Sequence, residues 1–361
     1  MNDVRAFGGP RVRVITTDGD VLQSLSQLFA GRAQLEWVQS DQWPDSDSLD
    51  DADLTLRLNP LDDGQRALVV STAHDGAPIQ WHWPLLESTA FVASCLALSA
   101  CSDQQAWSLE TEVLRVLHAD QRAGRAIQAR LLPNEPLDSA GLRCELGFFP
   151  SLLLSGDFAD YFQADRPSRV VTLLADVAGH GVSSAMVTVI IKSLINRLRR
   201  NLERASSFDL LSPARMLERI NSELMSTGLG KHATVFVGLF DAEQRRLNYA
   251  VAGHTPMPVL VVDGQAQVLP GQGRPVGLFA DVDYRELSID LPDSEFYLVL
   301  ASDGALDLVD ATGLAAQTDG LTAAIASCGG SVQSLAETLG LDRGQATPDD
   351  VTLVMVRGAA I

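Results

Sequence analysis

Residues 169–186 read RVVTLLADVAGHGVSSAM. A β-branched apolar run stops at Asp176, a Gly-His-Gly turn follows at 179–181, and an apolar helical stripe then begins with Met186, Val189, Ile190 and Leu194. A run of that length and composition predicts a strand, and the three- and four-residue steps after it predict a helix. Gly179 and Gly181, like Gly253 further on, are the residues a tight turn requires.

The same pattern continues on both sides. LRCELGFF (142–149), TVFVGLFD (234–241), RLNYAVAGH (246–254), PVLVVDG (258–264), EFYLVLASDG (295–304) and DVTLVMVRG (350–358) all read as strands. A second helix is predicted over Ser212–Met225, with Ser212 as N-cap and Pro213 at its first position. Many strands with two adjacent helices predict an α+β sandwich, a β-sandwich of packed sheets flanked by helices.

Aspartates stand at the ends of these strands beside small residues: Ser155-Gly156-Asp157, Ala175-Asp176-Val177, Ser302-Asp303-Gly304 and Pro348-Asp349-Asp350. Any one of them is a turn on its own. Brought together from distant parts of the chain, they must bind cations or share protons, because bare carboxylates repel. Oxygen ligation without His or Cys spacing favours Mg²⁺ or Mn²⁺ over zinc.

From about Arg115 to Gly358 the chain resembles the metal-dependent protein phosphatases of the PPM family, in its SpoIIE/RsbU-type bacterial branch. The segments carrying the resemblance are AIQARLLP (126–133), SGDFADYF (155–162), LADVAGHGVSSAM (174–186), ATVFVGLFD (233–241), LNYAVAGHTPMPVL (247–260), GRPVGLF (273–279), YLVLASDGALD (297–307) and TPDDVTLVMVR (347–357). The resemblance implies two divalent metal ions, Mn²⁺ or Mg²⁺. Asp176 would bridge them, and the Val177 carbonyl would bind one. Asp303 and Asp349 would complete the other ion's shell, and Asp157 would ligate directly or through water. Asp160 and Asp350 are neighbouring acids with weaker claims. Such a pair of ions lowers the pKa of a water held between them and clamps the phosphoryl oxygens, with no phosphoenzyme. Ser155 stands where the family usually has Gly, and Asp307 where Glu is common; neither change removes a ligand. His180 and His254 are either proton donors or, in the simpler reading, structural residues bonding the turn backbone.

The first third differs in composition. All five tryptophans (37, 43, 81, 83 and 107) fall there. Arg11–Thr17, Asp53–Leu58 and Ala67–Ser71 read as strands and Val21–Ala30 as a short amphipathic helix, an alternation that predicts an α/β domain with a parallel sheet. Residues 1–106 weakly resemble a response-regulator receiver. Leu58 stands where the phosphoacceptor Asp belongs and Trp83-Pro84 where Lys-Pro belongs, so the resemblance is to a degenerate, regulatory receiver. Residues 107–134 form the linker. Val113, Val116, Leu117, Ala123, Ile127 and Leu131 give it one apolar seam, ended by Pro133. That seam packs either on a neighbouring domain or on its own copy in a coiled-coil homodimer. Residues 135–361 form the phosphatase-like domain.

The totals set limits. A net charge of −19 over 361 residues argues against nucleic acid as a partner. The run around Phe91–Ala100 is too short to span a bilayer, and MNDVRAFGGPRVRV holds no secretory signal. Cys95, Cys101, Cys144 and Cys328 show no metal spacing and read as buried thiols of a cytoplasmic protein. The expected activity is metal-dependent removal of phosphate from serine or threonine of a regulatory protein. For this branch the implied partner is a STAS-type anti-sigma-factor antagonist. The alternatives are a non-catalytic adaptor, which the presence of Asp157, Asp176, Asp303 and Asp349 argues against, and a phosphatase for a small metabolite.

Overall fold

The computed structural model describes residues 11–15, 34–38, 54–60, 66–72, 120–179, 181–341 and 347–360. The chain divides into two compact units, Met1–Leu117 and His118–Ile361.

In the first unit the backbone forms β1 (Arg11–Ile15), β2 (Gln34–Val38), β3 (Leu54–Pro60) and β4 (Arg66–Thr72), in sheet order β2-β1-β3-β4. β1 runs parallel to β2 and β3, as the alternating pattern predicts. β4 instead returns antiparallel to β3, with Leu58 opposite Leu68. A receiver sheet is parallel throughout, so this hairpin lends the receiver-like reading no support. The predicted helix at Val21–Ala30 and the Trp83-Pro84 pair lie outside the described residues.

The second unit opens with a helix over residues 120–129, α1, which gives way to a turn before Pro133. The part of the predicted linker helix before residue 120 lies outside the described residues. Two antiparallel sheets follow. One holds β7 (Asp157–Gln163), β8 (Arg169–Val177), β9 (Ala233–Asp241), β10 (Arg246–Ala252) and β13 (Glu286–Asp290), ordered β13-β10-β9-β8-β7. The other holds β5 (Leu137–Ser139), β6 (Leu142–Phe149), β11 (Val259–Val262), β12 (Gln265–Val268), β14 (Phe296–Ala301) and β15 (Val351–Gly358), ordered β12-β11-β14-β15-β6-β5.

Strand alternation sorts the side chains into layers. On β7 and β8, Ala159, Tyr161, Val170 and Leu174 pack inward against Leu298, Leu300, Val354 and Val356 of the facing sheet. The alternate residues Phe158, Phe162, Val171, Leu173 and Val177 pack outward against α2 (Val182–Glu203) and α3 (Pro213–Thr227), through Val187, Ile191, Leu217 and Ile220. α3 carries the predicted cap, with Ser212 Oγ accepting from Arg215 N–H at 3.4 Å. The outer face of the second sheet is covered by α4 (Leu314–Ser327) and α5 (Val332–Thr338), through Leu321, Ile325 and Leu335 against Val299, Leu353 and Met355. Of these four helices, the sequence pattern predicts α2 and α3. The result is the expected sandwich, helices outside two sheets.

Cys144 and Cys328 are buried free thiols, and burial, then the charges of Asp138 and Glu145, push the Cys144 thiol up to about 12. Cys95 and Cys101 lie outside the described residues. Among the described residues no helix is long and apolar enough to cross a membrane.

Candidate active site

Four strand ends meet at one edge of the sandwich: the start of β7, the end of β8, the end of β14 and the start of β15. Asp157 and Asp176 are direct partners in the β7–β8 ladder. By alternation both share the inward face with Ala159 and Leu174, so two carboxylates face the second sheet together. Like charges directly opposite on antiparallel strands are unfavourable. From the second sheet, Asp303 follows β14 and Asp349 precedes β15, two strands that pair with each other. Asp303 and Asp349 are exposed, Asp176 is half-buried and Asp157 is buried.

Burial, then the charge of Asp176, holds the Asp157 carboxyl well above the usual range; the hydroxyls of Thr352 and Ser302 on the facing sheet offset part of this. Asp157 Oδ2 is nonetheless buried without a hydrogen-bond partner. Burial, then Asp303, Asp349 and Asp350, pushes Asp176 up to about 7. Burial, then Asp349, raises Asp303. Among the described residues, no three His, Cys, Asp or Glu side chains already stand at the spacing of a closed metal cage.

A scaffold of hydrogen bonds sets the turn before Asp157. Gln128 of α1 is buried and uses both ends of its amide on Ser155: Nε2 donates to the Ser155 carbonyl at 2.7 Å, and Ser155 N–H donates to Oε1 at 3.1 Å. Ser155 Oγ accepts from Asp157 N–H at 3.0 Å, so this hydroxyl helps fix the start of β7. Gly156 packs so closely that a Cβ would lie 2.8 Å from the Val177 carbonyl oxygen.

Two of the acids considered from sequence are engaged elsewhere. Asp160 lies an odd number of residues from Asp157 and so faces the helix layer, where Lys192 of α2 pairs with it at 2.7 Å. Asp350 is buried and accepts from Ser151 N–H and Ser151 Oγ, both at 2.8 Å, and from Gly156 N–H at 2.9 Å. Both are structural pins beside the site. His254 departs from the turn-bonding reading: it is buried with neither ring nitrogen partnered, and burial alone lowers its pKa to about 4. Held neutral, the ring carries one N–H and no charge. Its ring sits 6.3 Å from that of Phe236. His180 lies outside the described residues. Gln128 and Ser155 were not recognised as site-forming from sequence, although both fall inside the segments that carried the resemblance.

A two-sheet sandwich flanked by helices, with acids gathered at one end, is the PP2C-type phosphatase fold. The SiaA-PP2C domain of Pseudomonas aeruginosa shares it with a TM-score of 0.53 at 22% identity, over 68% of this chain and 98% of that one. The sequence matches the family of stage II sporulation protein E (SpoIIE) over residues 166–358, more than half of the chain. The chain therefore belongs to the SpoIIE family, and its second unit is a SpoIIE-type serine phosphatase domain.

Phosphoserine phosphatase RsbP of Bacillus subtilis (strain 168) is 28% identical over 188 residues, 51% of this chain and 44% of RsbP. The structure of the RsbU and RsbW domains of Rv1364c from Mycobacterium tuberculosis superposes with a TM-score of 0.50 at 26% identity, over 63% of this chain and 62% of that one. The chain thus spans under half of its curated relative and under two thirds of this structural one.

Proposed function

We propose that the protein is a divalent-metal-dependent phosphatase that hydrolyses phosphoserine or phosphothreonine on a regulatory protein. The observation that carries this reading is the pairing of Asp157 with Asp176, with Asp303 and Asp349 supplied by the facing sheet. A buried carboxylate oxygen without a donor, beside a second carboxylate of raised pKa, is chemistry that a cation completes. An all-oxygen donor set suits Mg²⁺ or Mn²⁺, which keep several waters and take one or two carboxylates each.

In this reading Asp176 would serve both ions, and the Val177 carbonyl, Asp157, Asp303 and Asp349 would be the other groups that hold them. When bound, the ions supply an acidified water and neutralise charge on the phosphoryl oxygens. The chain's own contribution is position. Gln128 and Asp350 fix the turn that presents Asp157, and the paired strand ends hold Asp176 opposite it. Exposed Asp303 and Asp349 leave the site open to a phosphoryl group on another protein.

The similarity to phosphoserine phosphatase RsbP supports phosphoserine as substrate. The family resemblance supports a STAS-type anti-sigma-factor antagonist as the partner. The division of roles proposed for the chain is a regulatory segment at 1–106, a linker at 107–134 that pairs in a homodimer, and a catalytic domain at 135–361. Dephosphorylation of a phosphoserine protein by the full chain, with and without Mn²⁺, tests the reading; phosphosites untouched in both conditions would favour an adaptor role instead.

A further inference from the structure

Residues 228–232 connect α3 to β9 and lie across the turn that follows β8. Ala178 N–H donates to the His232 carbonyl at 3.0 Å. Lys231 Nζ donates to the Ala178 carbonyl at 3.0 Å. Two consecutive residues of one loop therefore hold both polar groups of Ala178. Lys231 Nζ also donates to Ser184 Oγ at 3.3 Å, and that buried serine donates in turn to the Ala178 carbonyl at 3.3 Å. Gly179 follows with φ +87°, and a Cβ there would lie 3.2 Å from the ammonium. The lysine is thus packed directly on the turn.

A peptide unit is planar and trans, so its N–H and C=O point in opposite directions. Fixing Ala178 N–H on His232 aims the Val177 carbonyl, in the same peptide unit, away from the 231–232 loop. That carbonyl accordingly lies against Gly156 at the start of β7. Lys231 fixes the next peptide unit, so the turn cannot rotate about Ala178 without breaking a charge-assisted bond. Both partners of the ammonium are neutral oxygens, in a chain of net charge −19.

We propose that Lys231 is a positioning residue for the metal centre: by clamping Ala178 it sets the direction of the Val177 carbonyl, a group that would hold an ion beside Asp176. This rests on the phosphatase reading above. It is a role outside the carboxylate set.

The test uses the full chain, Lys231→Met and Lys231→Arg, each checked for folding by circular dichroism. Deuterium uptake of residues 177–184 is measured without metal, and Mn²⁺ alone is titrated by calorimetry. Lys231→Met should raise uptake in that turn and weaken Mn²⁺ binding about 10–100-fold, the usual effect of losing a group that orients a ligand. Lys231→Arg should recover most of both. Wild-type uptake and Mn²⁺ affinity in Lys231→Met would overturn the proposal. So would a loss of protection spread evenly over the whole unit in both variants, which marks a general stability role. Failure of the parent protein itself to bind Mn²⁺ overturns the phosphatase reading and, with it, the metal-positioning role; wild-type binding with an unaffected Lys231→Met overturns this proposal alone.

Discussion

Asp157 and Asp176 stand opposite each other in the β7–β8 ladder, on the face turned toward the second sheet. An antiparallel pair would ordinarily avoid that arrangement. Here the neighbouring strand ends add Asp303 and Asp349 instead of a lysine or arginine. The fold therefore stores electrostatic repulsion at one edge of an otherwise apolar sandwich.

That repulsion has a pH signature in metal-free protein. Asp176 is raised to about 7, whereas the unfolded chain releases this proton near the ordinary carboxylate value. Between those values the folded chain binds more protons, so this contribution to stability falls as pH rises and is fully lost above about pH 7. His254, lowered to about 4, acts in the opposite sense, its contribution rising with pH up to the ordinary histidine range. The comparison that isolates Asp176 is therefore wild type against Asp176→Asn in EDTA, between about pH 6.5 and 8. Asp176→Asn should melt several degrees higher at the alkaline end, at about 2–4 °C per kcal/mol for a unit of this size. Equal melting temperatures throughout would remove the repulsion from the account.

Gly156→Ala should damage the site without emptying the core. The added Cβ would lie 2.8 Å from the Val177 carbonyl oxygen, so that carbonyl must move. Mn²⁺ affinity should drop by about tenfold or more, as when the surroundings of a ligand are disturbed. Calorimetric titration with a wild-type dissociation constant would show that this carbonyl is not used.

Asp350 and Asp160 should behave as structural residues. Asp350→Ala leaves Gly156 N–H and the Ser151 donors without their acceptor and should cost about 2–4 kcal/mol of unfolding free energy in urea melts. The double variant Asp160→Asn with Lys192→Met removes both charges of one pair and should keep Mn²⁺ affinity. A collapse of that affinity in a folded double variant would return Asp160 to the ligand set.

Ile127 is 62% exposed on α1, one residue before the buried Gln128 that grips Ser155. An apolar side chain held out beside such a clamp is suited to pairing. Ile127→Asp should fold normally and either lower the mass of the particle or alter turnover, although it touches no acid of the site. Sedimentation and phosphatase rate on one preparation decide this; wild-type values in both would leave α1 a passive spacer.

Much of the second unit was legible in the sequence because its central strands, β8, β9 and β15, are buried on both faces. RVVTLLADV coincides with β8, and LRCELGFF with β6. The acids were legible because each interrupts an apolar run at its end. α4 and α5 were missed: LAAQTDGLTAAIAS is built largely of small residues, with Gln317, Thr318 and Asp319 breaking any apolar stripe, and VQSLAET is too short to show a period. β2 was missed because QLEWV is half polar. The distinction between Asp157 and Asp160 follows from strand parity, but only once the register is known. The hydrogen bonds from Gln128 to Ser155 and from Lys231 to Ala178 join residues 27 and 53 positions apart, which no local pattern reveals.

The central claim is that the paired aspartates hold metal for phosphate ester hydrolysis. The most direct measurement is release of phosphate from a phosphoserine peptide by the full chain, with Mn²⁺, with excess EDTA, and for Asp176→Asn with Mn²⁺. The account predicts turnover only in the first case, with the variant slower by about a hundredfold or more, since charge stabilisation of the transition state is the main contribution of such a site. Undiminished turnover in EDTA, or in Asp176→Asn, would contradict it.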